Sequence, residues 1–490
     1  MPLLATLPLD VLARILTLTA DYNTLRAAAL SCKGLYAAYE AYPIGINKSV
    51  AFNLLPAAVL APALRAIRVG DELASISTSD NVEDIMHKHD EVRVFDTLLT
   101  STECTALQSR ACVVARIEVM FSRTFKDRTS VSSSRLSAGE SELFQKALHR
   151  IWLFTQVIRH CYVDFPDEVG RDEVADFEWR KDLLYANLSS QDLWEIETVL
   201  RWLYVACEDL KAFVDPDYVP IIVQVGPDGF INLFDKEPSE VDEVIPDIDE
   251  PLGFEWEEDI RAVLEERKFE VPGGVSRPES APKGLNPLLQ TVFGKDDMCA
   301  SCSSKIGLAL LNQTNWEYNK WLRSFDRLQY LLPHNLVSNT HERRTLTAYF
   351  KHPLQHMTKP TPTADTGSPI STLRVLRELF DLPNVVTSPR LQAHMLADGF
   401  SSMTPHDWLC PTCLVEFITR HLWIWWWNEK ARGRVLGEPL REDCWYGYEC
   451  RTQTHNFSHA QKLNHLCVNT NEERLAAKKA GTAQGNAGGP

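Results

Sequence analysis

Apolar residues recur at helical spacing from the start of the chain. Val11, Leu12, Ile15 and Leu16 form one stripe, and after a polar break the apolar run 25–30 begins a second segment. Pro8 suits the first helical position, where its missing N–H is no loss. Thr24 and Ser31 are placed to cap a second and a third helix. The same period continues in 54–66, 96–107 and 142–158. In the last of these Leu143, Phe144, Ala147, Ile151, Phe154, Val157 and Ile158 share a face. The serine cluster 130–137 interrupts two of these segments as a loop. Segment 191–214 carries Leu193, Trp194, Ile196, Val199, Leu200 and Leu203 at helical spacing, and 414–429 carries Val415, Phe417, Ile418, Leu422, Trp425 and Trp426. Trp152, Trp194, Trp202 and the tryptophans at 423 and 425–427 therefore read as helix-packing core. One interruption has another period: 218–225 and 230–234 flank Gly226-Pro227-Asp228-Gly229, the signal of a hairpin. The expected fold is mainly α with one small β-hairpin.

A chain of 490 residues predicts two or three folding units. The pattern divides it into an N-terminal helical module (1–45), a mostly helical body with acidic loops (46–270), and a Gly/Pro/Ser-rich linker (271–290). A second helical region (291–435), a Cys/His-dense segment (436–470) and a disordered tail (471–490) follow. A further loop, dense in Pro and Thr, is expected at 352–371. The formal charge is −16, but 164–270 alone holds 31 acidic and 9 basic residues, a balance of −22. That disfavours a general affinity of this middle region for nucleic acid or anionic membranes. It reads as a solvated face with mobile loops, a docking site for a basic partner being the alternative. The apolar run 422–427 is short and bracketed by Arg420, Glu429 and Lys430, so no membrane-spanning segment is expected. The N-terminus lacks a basic start and carries Asp10 and Arg14 within its apolar stretch, unlike a secretory signal. An intracellular protein, of cytoplasm or nucleus, is the reading.

In that setting cysteines point to thiols and metal rather than disulfides. Seven of the twelve lie beyond residue 298; Cys32, Cys104, Cys112, Cys161 and Cys207 are scattered and read as small buried apolar residues. Two pairs share a two-residue spacer, Cys299-Ala-Ser-Cys302 and Cys410-Pro-Thr-Cys413, which lets both thiolates of a pair reach one tetrahedral zinc. Closing the intervening loop costs on the order of 4 kcal/mol, against about 10–16 kcal/mol for structural zinc binding. A shared four-cysteine site is expected. A redox Cys-x-x-Cys is the rival, without the βαβ setting that such motifs occupy, and unrelated buried thiols are the third reading. A denser cluster holds Cys444, Cys450, His455, His459, His465 and Cys467 within 24 residues. The preferred ligands are Cys444, Cys450, His459 and His465, with His455 and Cys467 spare or outside the coordination shell. Gly447 permits the tight turn between the thiolates. Two zinc ions are expected.

No Walker-type, Gly-x-Ser-x-Gly or His-Glu-x-x-His run occurs. His352 and His356 have helical metal-pair spacing, but Pro353 disfavours that helix. Glu257, Glu258 and Asp259 read as a helix start rather than an acid–base pair. No catalytic residue is expected, and the chain reads as a non-enzyme.

Two stretches resemble known families. Residues 7–36 are similar to an F-box, the helical module that joins a substrate receptor to a Skp–cullin–RING ubiquitin ligase. The pattern fits at Leu7, Pro8, Asp10, Leu12, Ile15, Leu16, Leu25, Cys32 and Lys33 and departs at Thr19 and Leu35; an ordinary helical hairpin is the plain alternative. The resemblance implies a Skp-family adaptor bound through Leu7, Pro8, Val11, Leu12, Ile15, Leu16, Leu25 and Leu35, and an unknown target protein held by the rest. The run Arg441-x-x-Cys444-x-Tyr446-Gly447-x-x-Cys450, with five residues between His459 and His465, resembles the poly(ADP-ribose)-binding zinc finger. Eight residues rather than about six separate Cys450 from His459, and Arg451-Thr452 stands where an aromatic-then-basic pair is usual. If the ligand surface carries over, Tyr446 would stack on adenine while Arg441 and Arg451 face pyrophosphate. A purely structural finger is the other reading, and a poly(ADP-ribose) or nucleic-acid reader without a ligase role is the alternative for the whole chain.

Overall fold

The computed structural model describes residues 7–76, 81–130, 133–164, 173–208, 226–235, 256–270, 286–316, 319, 322, 328–351 and 371–471. The chain forms two units, Met1–Phe293 and Gly294–Pro490. Both are mainly helical, and β pairing among the described residues is confined to three isolated bridges.

The first unit opens with α1 (Leu9–Leu16), α2 (Tyr22–Ser31) and α3 (Lys33–Ala41). These pack around Leu12, Ala13, Leu16, Leu25, Leu35 and Ala38, with Ile46 and Val50 contributed by α4 (Pro43–Leu54). Three local expectations shift. Pro8 flanks α1 at its N-cap rather than opening it. Asp21, not Thr24, caps α2, its carboxylate accepting the Thr24 N–H at 2.8 Å. Ser31 ends α2 while the Cys32 sulfur caps α3, accepting the Leu35 N–H at 3.5 Å. At Asp21 and Cys32 the extended backbone leaves the preceding turn and aims the side chain at the third N–H of the helix.

The body of this unit is built on α5 (Ala57–Leu73) packed along α8 (Ala138–Arg159), with α6 (Val82–Lys88) and α7 (Ser101–Phe125) beside them. The period read in 142–158 is the interior of α8, where Phe144, Ala147, Ile151, Phe154, Val157 and Ile158 are buried. Both long helices begin with a capping box, Thr100 with Glu103 and Ser137 with Glu140. Glu140 is also the acceptor for Lys126 Nζ and for the Gln290 N–H, which holds residues near 290 against the helices. α9 (Glu173–Arg180), α10 (Ser190–Glu208), α11 (Gly226–Asp235) and α12 (Trp256–Glu266) complete the described part. Glu257, Glu258 and Asp259 do form the first turn of α12, and Trp152, Trp194 and Trp202 are buried between helices.

The expected hairpin is corrected: Gly226–Asp235 is helical, with Phe230, Ile231 and Leu233 buried. Pro227 and Asp228 are as well suited to a helix's first turn as to a β-turn, and burial of an apolar helical face decides between them. Segment 218–225 lies outside the described residues, as do 209–214, 271–285, 352–370 and 472–490, on which other expectations fell.

The second unit contains α13 (Thr340–Lys351), α14 (Thr372–Val385), α15 (Pro389–Leu396), α16 (Pro411–Ala431) and α17 (Phe457–Lys462). Its core is centred on α16, where Phe417, Ile418, Leu422, Trp423, Ile424, Trp425 and Trp426 are buried. The indoles keep their polar edges paired: Trp425 Nε1 donates to Glu378 at 2.7 Å and Trp426 Nε1 to Glu342 at 2.9 Å. Glu342 also accepts from Lys430 Nζ at 2.7 Å, so the buried charges are matched. Among the described residues no single helix is long and apolar enough to cross a membrane.

Candidate metal centres

The first centre is assembled by a short ladder. Leu311 and Leu409 exchange N–H···O bonds of 2.8 and 3.0 Å, and the Ala300 N–H donates to the Trp408 carbonyl at 2.8 Å. This lays the turn carrying Cys299 and Cys302 beside the N-terminus of α16, which carries Cys410 and Cys413. The turn closes through Cys299 N–H to Ser304 O (3.0 Å) and Ser303 N–H to Cys299 O (2.9 Å), with Ser303 in the left-handed region at φ 57°. Cys410 is the N-cap of α16, its sulfur accepting the Cys413 N–H at 3.3 Å, while the Cys410 N–H donates to Cys299 Sγ at 3.2 Å.

The four sulfurs all lie within 4.8 Å of one another, and Cys302 Sγ is 3.8 Å from Cys410 Sγ. A tetrahedron with metal–sulfur bonds of about 2.3 Å has edges of about 3.8 Å. Hydrogen bonding with the Ser304 side chain and backbone, then with Cys413, draws the Cys302 thiol down to about 6. Burial, with the neighbouring sulfurs, pushes Cys413 up to about 12 and raises Cys410. Four thiols this close cannot all ionise by themselves; a divalent cation removes that conflict.

A second centre forms where Asp443 and Asn464 pair as an isolated parallel bridge, bringing Cys444 and His465 together. The Cys444 N–H donates to Asn464 O and the Asn464 N–H to Glu442 O, each at 2.8 Å. Cys450 follows a 3₁₀ turn, and His459 lies on α17, whose cap is Asn456. Gly447 at φ 50° is required here, because a Cβ would collide with the Cys467 carbonyl. His459 Nε2 is 3.4 Å from Cys450 Sγ and 3.8 Å from Cys444 Sγ. The sulfur–nitrogen edge of a zinc tetrahedron is about 3.6 Å. Burial pushes Cys444 up to about 11 and, with His459 nearby, His465 down to about 4. His465 is fully buried, and neither ring nitrogen has a hydrogen-bond partner of ordinary geometry. A buried imidazole in that condition is costly unless a nitrogen lone pair is used for coordination. The donor sets of both centres fit a metal ion, and all eight expected ligands fall in these two groups.

The other candidates separate. His455 is exposed, outside the cluster. Cys467 is buried, and its thiol points to the carbonyls of Asn464 (3.4 Å) and Cys444 (3.5 Å). Tyr446 and Arg451 are exposed, whereas Arg441 is half-buried, 3.9 Å from Glu438. At the N-terminus Leu12, Leu16, Leu25 and Leu35 are core residues, which corrects the single stripe. Of the expected adaptor-binding residues only Leu7, Pro8, Val11 and Ile15 remain at the surface, and α1 is apolar on two sides. Of the scattered cysteines Cys104 and Cys161 are buried, Cys32 is half-buried, and Cys112 is exposed, contrary to expectation.

Sequence reasoning missed the groups that support the ligands. Ser304 beside Cys302 and Gln453 between Cys450 and His459 have no spacing rule that marks them. Comparison of the chain with protein-family models, with curated proteins and with solved structures finds no match in any of the three.

Proposed function

We propose that this chain is the substrate-recognition subunit of a Skp–cullin–F-box ubiquitin ligase. Its N-terminal helices would hold a Skp-family adaptor, and the remainder an unidentified target protein. One observation carries the reading. Among the described residues, ten of the 21 exposed large apolar side chains lie within residues 7–52, among them Leu7, Val11, Ile15, Leu18, Leu30 and Tyr36. A concentrated apolar surface on a small module with its own core is the mark of a protein-docking face. The chain's own chemistry in this reading is binding and not catalysis. Zinc is the metal we assign to both centres, because thiolate and imidazole donors in a closed tetrahedral set suit it and leave no open position. The test is co-elution of the full chain with a purified Skp-family adaptor. A stoichiometric complex supports the reading, and complete separation under low salt refutes it.

The second reading, a poly(ADP-ribose) or nucleic-acid-binding zinc-finger protein without a ligase role, is favoured by two exposed aromatic neighbours, Trp445 and Tyr446, close in sequence to the exposed Arg451. Filter binding of the full chain to poly(ADP-ribose), with and without Tyr446→Ala, tests it. Saturable retention that the substitution removes supports the reader; no retention at low salt removes it.

A further inference from the structure

The loop between Cys444 and Cys450 is anchored outside the finger. Gln453 is 2 % exposed, and its Nε2 donates to the Tyr448 carbonyl at 3.0 Å and reaches the Gly447 carbonyl at 3.5 Å. Its Oε1 accepts from Asn339 Nδ2 at 2.9 Å, and Asn339, fully buried, caps α13 by accepting the Glu342 N–H at 3.1 Å. Asn335 Nδ2 donates to the Glu449 carbonyl at 2.6 Å. The Tyr448 ring lies between His334, stacked at 5.3 Å, and Trp423 of α16 at 5.1 Å. The carbonyls of Gly447, Tyr448 and Glu449 are therefore held by two amide side chains: Gln453, itself bonded to Asn339 at the start of α13, and Asn335, on the approach to that helix.

We propose that Gln453 and Asn339 are positioning residues for the second metal centre, so that its metal affinity is set by the α13 helix start and not by the finger alone. The proposal rests on the reading of Cys444, Cys450, His459 and His465 as metal ligands. It is independent of the adaptor reading. Gln453 stands between the second thiolate and the first imidazole in sequence, and by holding the 447–448 carbonyls it fixes the separation of Cys444 from Cys450. The metal is bound by the four side chains, but the chain reaches their geometry only with the Asn339–Gln453 bridge in place. Binding and bridge formation are then coupled, and by linkage the coupling runs both ways. Removing a hydrogen-bonding partner behind a ligand typically lowers metal affinity by about 10–100-fold.

The experiment uses the full chain as purified, with zinc content measured first and zinc release to a chromophoric chelator then followed. Cysteine alkylation read by mass spectrometry reports which centre has opened. In Gln453→Ala we expect one equivalent to leave about 10–100-fold more readily, with Cys444 and Cys450 becoming alkylated and Cys299, Cys302, Cys410 and Cys413 still protected. Gln453→Glu, which keeps the length but cannot donate to the two carbonyls, should behave alike. Conversely, Cys444→Ser should speed hydrogen exchange at the Glu342 and Arg343 amides. Release from Gln453→Ala at the unsubstituted rate overturns the proposal. So does joint opening of both centres, which would mean general loss of the unit's structure. An unsubstituted chain holding no metal, with all these cysteines freely alkylated, overturns the metal reading itself.

Discussion

Leu12 and Ile15 are three residues apart on α1 and should fail in opposite ways. Leu12 is 1 % exposed within the core of the N-terminal helices, whereas Val11 and Ile15 are 40 % and 39 % exposed. Leu12→Ala removes buried methyl groups and leaves a cavity, costing about 2–5 kcal/mol. Helices of 8, 10 and 9 residues have little stability of their own, so that loss is comparable to all the module has. Ile15→Lys is different. The lysine stem covers the same neighbours and the ammonium reaches water, so the fold should lose about 1 kcal/mol or less. At an adaptor interface, however, the uncovered two-fifths of the side chain would have contributed roughly 0.6–1.2 kcal/mol. A stranded charge adds several kcal/mol more, enough for about a hundredfold loss of affinity or greater. Circular dichroism with thermal melting, beside titration calorimetry against the adaptor, separates the two. Leu12→Ala should lose helix and binding together, while Val11→Lys and Ile15→Lys should lose binding alone. Adaptor affinity unchanged in both lysine variants, with their helices intact, would refute the docking face.

Elemental analysis of the protein purified without added metal should give about two zinc equivalents by ligand count. Cys302→Ser should remove one and Cys444→Ser the other; a single equivalent lost on Cys444→Ser alone would show that the distant pairs do not share an ion. In the first unit Lys126 and Glu140 form a buried pair at 2.6 Å. Glu140→Gln strands the ammonium and should cost about 3–5 kcal/mol in thermal or urea unfolding. Burial raises the Glu140 carboxyl, but Lys126 and the N–H groups of Ser137 and Gln290 outweigh it and hold it below its ordinary value. Its contribution is therefore complete above the unfolded value and lost as pH falls through the folded one. The gap between the original chain and Glu140→Gln should stay constant above about pH 5 and close in more acid solution; a gap that widens there would contradict the assignment.

The helices at 142–158 and 414–429 were legible because apolar residues at helical spacing run through them, although residues 147–155 and 421–426 are buried on every side. α1 was less legible because it is apolar on two sides: Leu12 and Leu16 face the core, and Leu9, Val11 and Ile15 remain outside. Periodicity finds such a helix but does not say which stripe is inward. The caps slipped for a related reason. Asp21 and Thr24 are both capping residues within one turn, and the choice belongs to the backbone, extended at Asp21 and helical from Tyr22. Gly226-Pro227-Asp228-Gly229 failed outright, since the residues of a turn are also those of a helix start. Whether Phe230 and Ile231 alternate across a strand or sit side by side on a helix is settled by what they pack against.

The two Cys/His clusters that could hold a metal were more legible than the fold because coordination sets a short-range rule. Two thiolates separated by two residues meet one ion whatever the surrounding architecture. That rule cannot bring 299–302 to 410–413; the Leu311–Leu409 ladder does so, and its residues look like any apolar pair. Spacing also cannot choose four ligands from the six in 444–467. His455 is rejected by exposure. Cys467 is rejected although it is buried nearby, because its sulfur is turned to the Cys444 and Asn464 carbonyls. A thiol donating to two carbonyls is protonated, and burial, foremost, with Asp443 and Cys444 nearby, raises its pKa well above the ordinary range. Its sulfur is thereby kept out of the group of Cys444, Cys450, His459 and His465, whose ligand atoms all lie within 4.8 Å of one another. Selection within the cluster is thus made by backbone carbonyls, which leave no trace in residue identity.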